Sequence, residues 1–117
     1  MFYSTVVKQH KYFKTFYEGP PRHLSIEEKQ FYLSAFKEET SEYFQALNLE
    51  GEMDALLDLL IFTIGAYIRH GFDPDAITEV VRANMDKIPG QLKKRNDFKL
   101  DLIKPVGWRA PDLKRFL

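Results

Sequence analysis

The stretch that decides the fold is residues 53–62, Met-Asp-Ala-Leu-Leu-Asp-Leu-Leu-Ile-Phe, the most apolar segment of the chain. It contains two aspartates, Asp54 and Asp58, whose spacing of four places them on one face of a helix. A carboxylate buried among leucines must be paired, protonated or bound to a metal, because burying a bare negative charge is very costly. No Lys or Arg lies between Lys37 and Arg69. A divalent cation is therefore the leading explanation for the two aspartates.

Three further carboxylates, Glu38, Glu39 and Glu42, precede this segment. Steps of three and four residues from Glu39 reach mainly apolar side chains: Tyr32, Ala35, Phe36, Tyr43, Ala46 and Leu47. Glu39 thus lies within the apolar stripe of a helix, where a charged residue is not expected. Glu42 flanks the same face and Glu38 lies on the adjoining flank. If this helix and the next pack antiparallel, the carboxylates of both helices converge and form one or two sites for a hard cation.

Four of the five carboxylates also have a purely structural explanation. Glu39 and Asp58 can form internal hydrogen bonds to Ser, Thr or Tyr. Asp54 fits the first turn of a helix, where the dipole favours an acid, and Glu38 fits a solvated helix face. Other acidic or histidine sites match less well, since the chain has no EF-hand loop, no paired Glu-x-x-His motif and no His-Glu-x-x-His motif.

Composition narrows the class of protein. The 117 residues suit one domain, and 17 basic residues balance 17 acidic ones, so the chain has no net charge to attract nucleic acid or an anionic membrane. The apolar segment is too short for a membrane span. The chain has no cysteine, so oxygen ligands and three histidines remain, which favours Mg²⁺ or Mn²⁺. We expect a cytosolic protein.

Helix signals predict an all-α protein, a four-helix bundle with an irregular C-terminal tail, in a single domain over residues 1–117. Apolar spacing, capping motifs and Pro or Gly stops set the predicted elements. The first predicted helix begins at about Val6 and ends before Gly19, and the second is capped by Ser25 and ends at Leu47. After a turn at 48–51, the third helix runs from Glu52 to His70 with Gly71 as its C-cap. The fourth helix is capped by Asp73 and ends near Lys87, and the tail covers residues 91–117. No strand is predicted.

Two motifs carry a resemblance to a known family: Glu38-Glu39-x-x-Glu42, and Asp54-Ala-Leu-Leu-Asp58-Leu-Leu in an apolar helix. They resemble the all-α nucleoside triphosphate pyrophosphohydrolases, which comprise the MazG-like proteins, the dimeric dUTPases and phosphoribosyl-ATP pyrophosphohydrolase. Three further segments are similar to the small MazG-like or phosphoribosyl-ATP-pyrophosphohydrolase-like proteins of phages and bacteria. They are Phe62-x-x-Gly65 with residues 69–72, residues 82–87 (RANMDK), and residues 104–108 (KPVGW) with 111–113. The resemblance covers roughly residues 13–113.

The resemblance implies Mg²⁺-dependent hydrolysis of the α–β phosphoanhydride of a (deoxy)nucleoside triphosphate, with Mn²⁺ as a possible substitute. If the family's residue roles are transferred to the matching positions, Glu39, Glu42 and Asp58 hold the metal and Asp54 assists. Glu38 or Glu39 activates the attacking water as general base, and the sequence does not separate the two. It also implies a homodimer or homotetramer in the cytoplasm, which is the host cytoplasm if the protein is phage-encoded.

The resemblance further implies four substrate-binding residues. Asn84 contacts the base or sugar, Lys87 and Lys104 contact phosphates, and Trp108 provides a stacking surface. Each has an ordinary alternative, because Lys87 and Asn84 suit a helix end and Trp108 can pack the tail against the protein.

One departure from the family pattern concerns Ala55. The family usually has Glu three residues before the aspartate that corresponds to Asp58, and this chain has Ala55 there and Asp54 one position earlier. This motivates an alternative, a non-catalytic helical module of the same fold that binds a nucleotide or a partner. Phosphoribosyl-ATP hydrolysis ranks below both, since the tail is similar to the phage-type subgroup.

Overall fold

The structure, a computed structural model, describes residues 1–90 and 101–117. Their contacts divide the chain into two compact units, Met1–Phe72 and Asp73–Leu117, here called the N-terminal and C-terminal units. The regular elements are α1 (Phe2–Tyr12), α2 (Ile26–Gln45), α3 (Leu49–His70), α4 (Ala76–Met85), β1 (Ile88–Gly90), β2 (Asp101–Ile103) and a 3₁₀ helix (Lys114–Phe116). The four predicted helices are present, and the prediction of an all-α protein is confirmed. No helix in the described ranges has the length and apolar character that a membrane span requires.

Capping residues begin α2 and α3. The Ser25 hydroxyl accepts the backbone N–H of Glu28 at 3.1 Å, as predicted. The Asn48 side chain accepts the N–H of Gly51 at 2.8 Å, so α3 begins at Leu49 and the prediction of a turn up to Gly51 is wrong. Asn48 acts as an N-cap because its side-chain oxygen replaces a missing backbone acceptor of the first turn. Gly71 ends α3 with φ 75°, also as predicted.

The first helix ends earlier than predicted. It stops at Tyr12, and Lys14 adopts a left-handed backbone conformation with φ 60°. The N–H of Thr15 then bonds back to the carbonyl of His10 at 2.8 Å. Because a left-handed residue cannot continue a right-handed helix, the aromatic residues that follow lie outside α1.

The helices α2 and α3 form an antiparallel hairpin across the short connection at residues 46–48. The contacts show this direction, because residues later in α2 contact residues earlier in α3. Glu28 bonds to Arg69, and the Phe31 ring contacts the Phe62 ring. The core of the N-terminal unit contains Val6, Leu24, Tyr32, Ala35, Ala55 and Ile68. Small side chains on both helices allow close packing, and this close packing places the carboxylates of α2 next to α3.

The C-terminal unit contains α4 and the part of the tail at residues 101–117. The predicted cap is wrong by two residues, because the Asp73 carboxylate accepts the N–H of Asp75 in a turn and α4 begins at Ala76. The described part of the tail has little regular structure, as predicted, but it contains a short strand, which was not predicted. There β2 pairs with β1 in an antiparallel ladder, with Ile88 opposite Ile103. Residues 91–100 of the predicted tail lie outside the described residues.

Interactions with α4 hold the described tail in place. The buried Glu79 accepts hydrogen bonds from Arg82, from Arg115 and from the N–H of Asp112. These bonds lower the pKa of the Glu79 carboxyl. Trp108 donates its indole N–H to the carbonyl of Ala83 at 2.6 Å. The described part of the tail, residues 101–117, is therefore bonded to α4 within the C-terminal unit.

Candidate metal and substrate site

The centre of the candidate site is a group of three carboxylates on α2. Glu38, Glu39 and Glu42 each offer one oxygen, and these oxygens all lie within 4.8 Å of one another. Glu39 is only 6 % exposed, whereas Glu38 and Glu42 are exposed. The spacing of three residues places Glu39 and Glu42 on neighbouring turns of one face. Three anionic groups at this distance are unfavourable unless a cation or a proton offsets their repulsion.

Asp58 brings a carboxylate from α3 to this group. It is half-buried, and its charge is one of those that raise the pKa of Glu39. The antiparallel hairpin brings Asp58 close because it lies about as far after the connection as Glu39 lies before it. We call Glu38, Glu39, Glu42 and Asp58 the acidic cluster.

The electrostatics of Glu39 distinguish it from its neighbours. Burial, the charges of Glu42 and Asp58, a hydrogen bond to Glu42 and the charge of Glu38 together raise its pKa from 4.5 to about 7. Its Oε2 atom is buried and has no hydrogen-bond partner in the described part of the chain. Buried polar atoms are almost always satisfied. An unsatisfied buried carboxylate oxygen within a group of like charges fits a site for a hard divalent cation.

Asp54 is not a member of the group that the three α2 carboxylates form. It is exposed, one turn before Asp58, and lines a shallow surface cavity with Asn48, Gly51 and Leu57. Ala55 is 2 % exposed and forms part of the core. The position where the family usually has Glu thus carries a packing residue. The role of Asp54 in metal binding stays a prediction.

Three of the four predicted substrate residues meet in the C-terminal unit. The ammonium groups of Lys87 and Lys104 lie 5.1 and 4.9 Å from the centre of the Trp108 ring. Asn84 is half-buried at the end of α4, and its carbonyl accepts the N–H of Lys87. Two cations on one aromatic ring form a positive surface that suits an anion. Contact of these residues with a substrate stays a prediction.

Sequence reasoning missed a second feature of the N-terminal unit, a cavity of about 350 Å³ between α1, α2 and α3. His10, Tyr32 and Gly65 are among its lining residues. His10 has no role among the predictions made from the sequence. The sequence feature that could have indicated this cavity is Gly65, a glycine inside an otherwise well-formed apolar helix.

A helical hairpin that brings carboxylates of both helices together is the architecture expected of the all-α nucleotide pyrophosphohydrolases. The chain matches the family model described as phosphoribosyl-ATP pyrophosphohydrolase over residues 7–84, about two thirds of its length. The protein belongs to this family, which confirms the resemblance. The match includes the acidic cluster and Asn84, and it ends before Lys87. The comparison with curated proteins finds no match.

Membership of the family implies a nucleotide pyrophosphohydrolase type of activity. Members typically depend on a divalent metal, and the three α2 carboxylates provide a group that could hold one.

Proposed function

We propose that the protein is a Mg²⁺-dependent pyrophosphohydrolase that cleaves the α–β phosphoanhydride of a (deoxy)nucleoside triphosphate to a monophosphate and pyrophosphate. The observation that carries the proposal is the buried Glu39 within the acidic cluster, with its unsatisfied oxygen. A bound divalent cation would offset the charge of such a group, and it would also attract the phosphates of a nucleoside triphosphate. We also propose a cytoplasmic location, because the proposed substrate is a nucleotide.

The proposed roles follow from the placement of the carboxylates. Glu39, Glu42 and Asp58 would hold the metal, Asp54 would assist from the adjoining turn, and Glu38 or Glu39 accepts a proton from water. A bound Mg²⁺ or Mn²⁺ would neutralise charge at the phosphate oxygens. Water attacks phosphorus at the α–β bridge, the bond to the bridging oxygen breaks, and that oxygen leaves with the other phosphate group. The proton of the attacking water passes to the carboxylate.

A panel of nucleotides tests the proposal. The purified protein is incubated with Mg²⁺ and each canonical ribo- and deoxynucleoside triphosphate, and with phosphoribosyl-ATP, and pyrophosphate release is measured. We expect release from one or a few of the triphosphates. Release from phosphoribosyl-ATP alone would assign the substrate named in the family description instead.

The alternative proposal is a non-catalytic nucleotide-binding module of the same fold. The observation that favours it is the buried Ala55, which leaves the cluster without the carboxylate that the family usually has at that position. Under this alternative a nucleotide binds and protects the protein from unfolding, but no member of the panel is hydrolysed by folded protein with Mg²⁺ or Mn²⁺.

We also propose that Lys104, together with Lys87, binds the phosphates of the substrate while Asn84 and Trp108 contact the nucleoside. The replacement Lys104→Ala should raise KM for the triphosphate about 3- to 10-fold, the usual net value of one hydrogen bond, with kcat largely retained. Steady-state kinetics measure the effect. Lys114→Ala is the matched control, since Lys114 is an exposed lysine of the same unit. Equal effects of the two replacements would contradict the assignment.

A self-association surface is the remaining part of the proposal. Large apolar side chains are exposed where α2 ends and α3 begins: Phe44 at 89 %, Leu47 at 100 %, Leu49 at 80 % and Met53 at 63 %. Among the described residues, Ile68 is the largest side chain that is fully buried. An exposed apolar patch next to so small a core is typical of a protein that buries it against another copy. We therefore propose a homodimer or homotetramer.

The replacement Phe44→Glu should dissociate this assembly. A carboxylate in an apolar interface must be desolvated without a partner, so we expect the variant to elute as a monomer at micromolar concentration while the unmodified protein elutes as a dimer or tetramer. Light scattering coupled to size-exclusion chromatography gives the mass. Ile77→Glu, at an exposed apolar residue of α4, is the control and should leave the mass unchanged. A monomeric unmodified protein would refute the proposal.

A further inference from the structure

Glu79 is a buried carboxylate that the proposed reaction does not use. A helix usually buries its apolar side chains and keeps its charges in solvent. The helix α4 instead buries Glu79, at 6 % exposure, together with Ala76 and Ala83, and it exposes Ile77 and Val81. A carboxylate in this position is costly unless it is fully hydrogen-bonded, so its partners indicate what it does.

The partners of Glu79 lie on Arg82 and on the tail. One carboxylate oxygen accepts a hydrogen bond from Nε of Arg82. The other accepts Nη2 of Arg115 at 3.2 Å and the backbone N–H of Asp112 at 3.4 Å. The bond from Arg82 is the main cause that lowers the pKa of the Glu79 carboxyl, so the group is charged at physiological pH. Charge-assisted bonds from several directions hold the tail in one place on α4.

Arg82 extends this contact to a second part of the tail. Its Nη2 lies 3.5 Å from the carbonyl oxygens of both Arg109 and Ala110. Its guanidinium is oriented by two carboxylates, Glu79 through Nε and Asp86 through Nη1 at 3.0 Å. Glu79 therefore contacts the tail both directly and through Arg82.

The segment that Glu79 holds begins directly after Trp108. The ammonium groups of Lys87 and Lys104 lie over the Trp108 ring. The indole N–H bonds to the carbonyl of Ala83, which fixes one atom of the ring. Residues between β2 and the 3₁₀ helix form neither helix nor strand, so no backbone ladder fixes the rest. The orientation of the ring and of the lysine that precedes it thus depends on side-chain contacts with α4.

We propose that Glu79 is a positioning residue for the phosphate-binding surface that Lys87 and Lys104 form on the Trp108 ring. Glu79 acts through the tail and does not touch the substrate. The inference rests on the proposed function, because the phosphates that this surface binds are those of the proposed substrate. It adds one requirement, that the tail is held against α4 when a phosphate chain binds.

The test titrates inorganic tripolyphosphate into the unmodified protein and into Glu79→Gln. Trp108 is the only tryptophan of the chain, so its fluorescence reports binding at this surface. EDTA is present, so that no divalent cation allows the acidic cluster to bind the probe. Glutamine keeps the size of the side chain but directs an amide NH₂ at donors that need an acceptor. We expect the dissociation constant to rise about 3- to 10-fold, the usual net value of one hydrogen bond, and acrylamide to quench Trp108 more strongly.

The direction of the change separates positioning from simple electrostatics. Loss of a negative charge near the lysines would by itself strengthen the binding of an anion, whereas loss of positioning weakens it. Asp75→Asn is the matched control, since Asp75 is an exposed carboxylate of the same unit whose side chain does not cap α4. It makes the same change in charge and should leave the dissociation constant within about twofold and the quenching unchanged.

A second variant, Arg115→Met, removes the bond to Glu79 from the side of the tail. The Arg115 side chain is 59 % exposed, so we expect the melting temperature to stay close to that of the unmodified protein. Lys114→Met removes the same charge from the neighbouring exposed residue and is its control. Arg115→Met should weaken tripolyphosphate binding more than Lys114→Met does. Combining Glu79→Gln with Arg115→Met should cost less than the product of the two single effects, because both remove the same contact.

The outcomes distinguish this inference from the proposed reaction. Weaker tripolyphosphate binding in Glu79→Gln, in a protein that hydrolyses no nucleotide, would support the positioning role and count against the reaction. Nucleotide hydrolysis by the unmodified protein, together with an unchanged or lower dissociation constant in Glu79→Gln, would overturn the inference and leave the reaction standing. Failure of the unmodified protein to bind tripolyphosphate would also overturn the inference.

Discussion

The replacement Glu39→Gln should reduce turnover roughly 10²- to 10⁴-fold, the usual contribution of a positioned general base, and weaken Mg²⁺ binding. Glutamine keeps the size of the side chain and removes its charge, so the hairpin should fold unchanged. Pyrophosphate release at saturating nucleotide measures the loss. Activity within about threefold of the unmodified protein would contradict the central role of Glu39.

The stability of the same variant provides a control for folding. The pKa of Glu39 is raised to about 7 in the folded protein and is near 4.5 when exposed, so the folded state binds this proton more tightly than the unfolded chain. The metal-free protein should therefore lose stability as pH rises between these values. The variant Glu39→Gln has no ionisable group at this position, so it does not lose stability for this reason as pH rises. In EDTA its melting temperature should exceed that of the unmodified protein at about pH 8 and approach it at about pH 4.

The replacements Asp58→Asn and Asp54→Asn should have unequal effects although the two aspartates lie one turn apart. Asp58 is half-buried and its charge raises the pKa of Glu39, whereas Asp54 is exposed. Loss of even an outer partner of a metal ligand costs about 10- to 100-fold, so we expect Asp58→Asn to lose at least about a hundredfold. Asp54→Asn should stay within about tenfold, as its exposed charge is largely screened.

Steady-state kinetics over a series of Mg²⁺ concentrations measure both variants. Asp58→Asn should require more Mg²⁺ for half-maximal activity, and Asp54→Asn should behave nearly as the unmodified protein. A larger loss in Asp54→Asn would mean that the shorter carboxylate replaces the glutamate that the family usually has at the position of Ala55. The assignment of metal binding mainly to Asp58 would then be wrong.

The central residue of the candidate site could be predicted because a charged side chain there departs from the apolar pattern of its helix. A glutamate within an apolar stripe requires a partner, and the periodicity of α2 alone places Glu39 there. The short connection after α2 forces the next helix to pack antiparallel, which brings Asp58 near. Both features depend on residues that are close together in the sequence, so they could be predicted without the tertiary structure.

The features that were missed depend on non-local contacts or on local backbone geometry. The pairing of β1 with β2 joins Ile88 to Ile103 across a long connection, and three-residue strands show no alternation. The end of α1 depends on the left-handed conformation of Lys14, which its residue type does not favour. The approach of His10 to Gly65 joins two helices that are far apart in sequence.

Product analysis by ³¹P NMR with the best nucleotide tests the central claim most directly. The reaction is run with Mg²⁺, with EDTA, and with Mg²⁺ restored after EDTA. We expect nucleoside monophosphate and pyrophosphate in equal amounts with Mg²⁺, neither product with EDTA, and recovery of both when Mg²⁺ is restored. Orthophosphate and nucleoside diphosphate as the products, or release that EDTA does not affect, would contradict the proposed reaction.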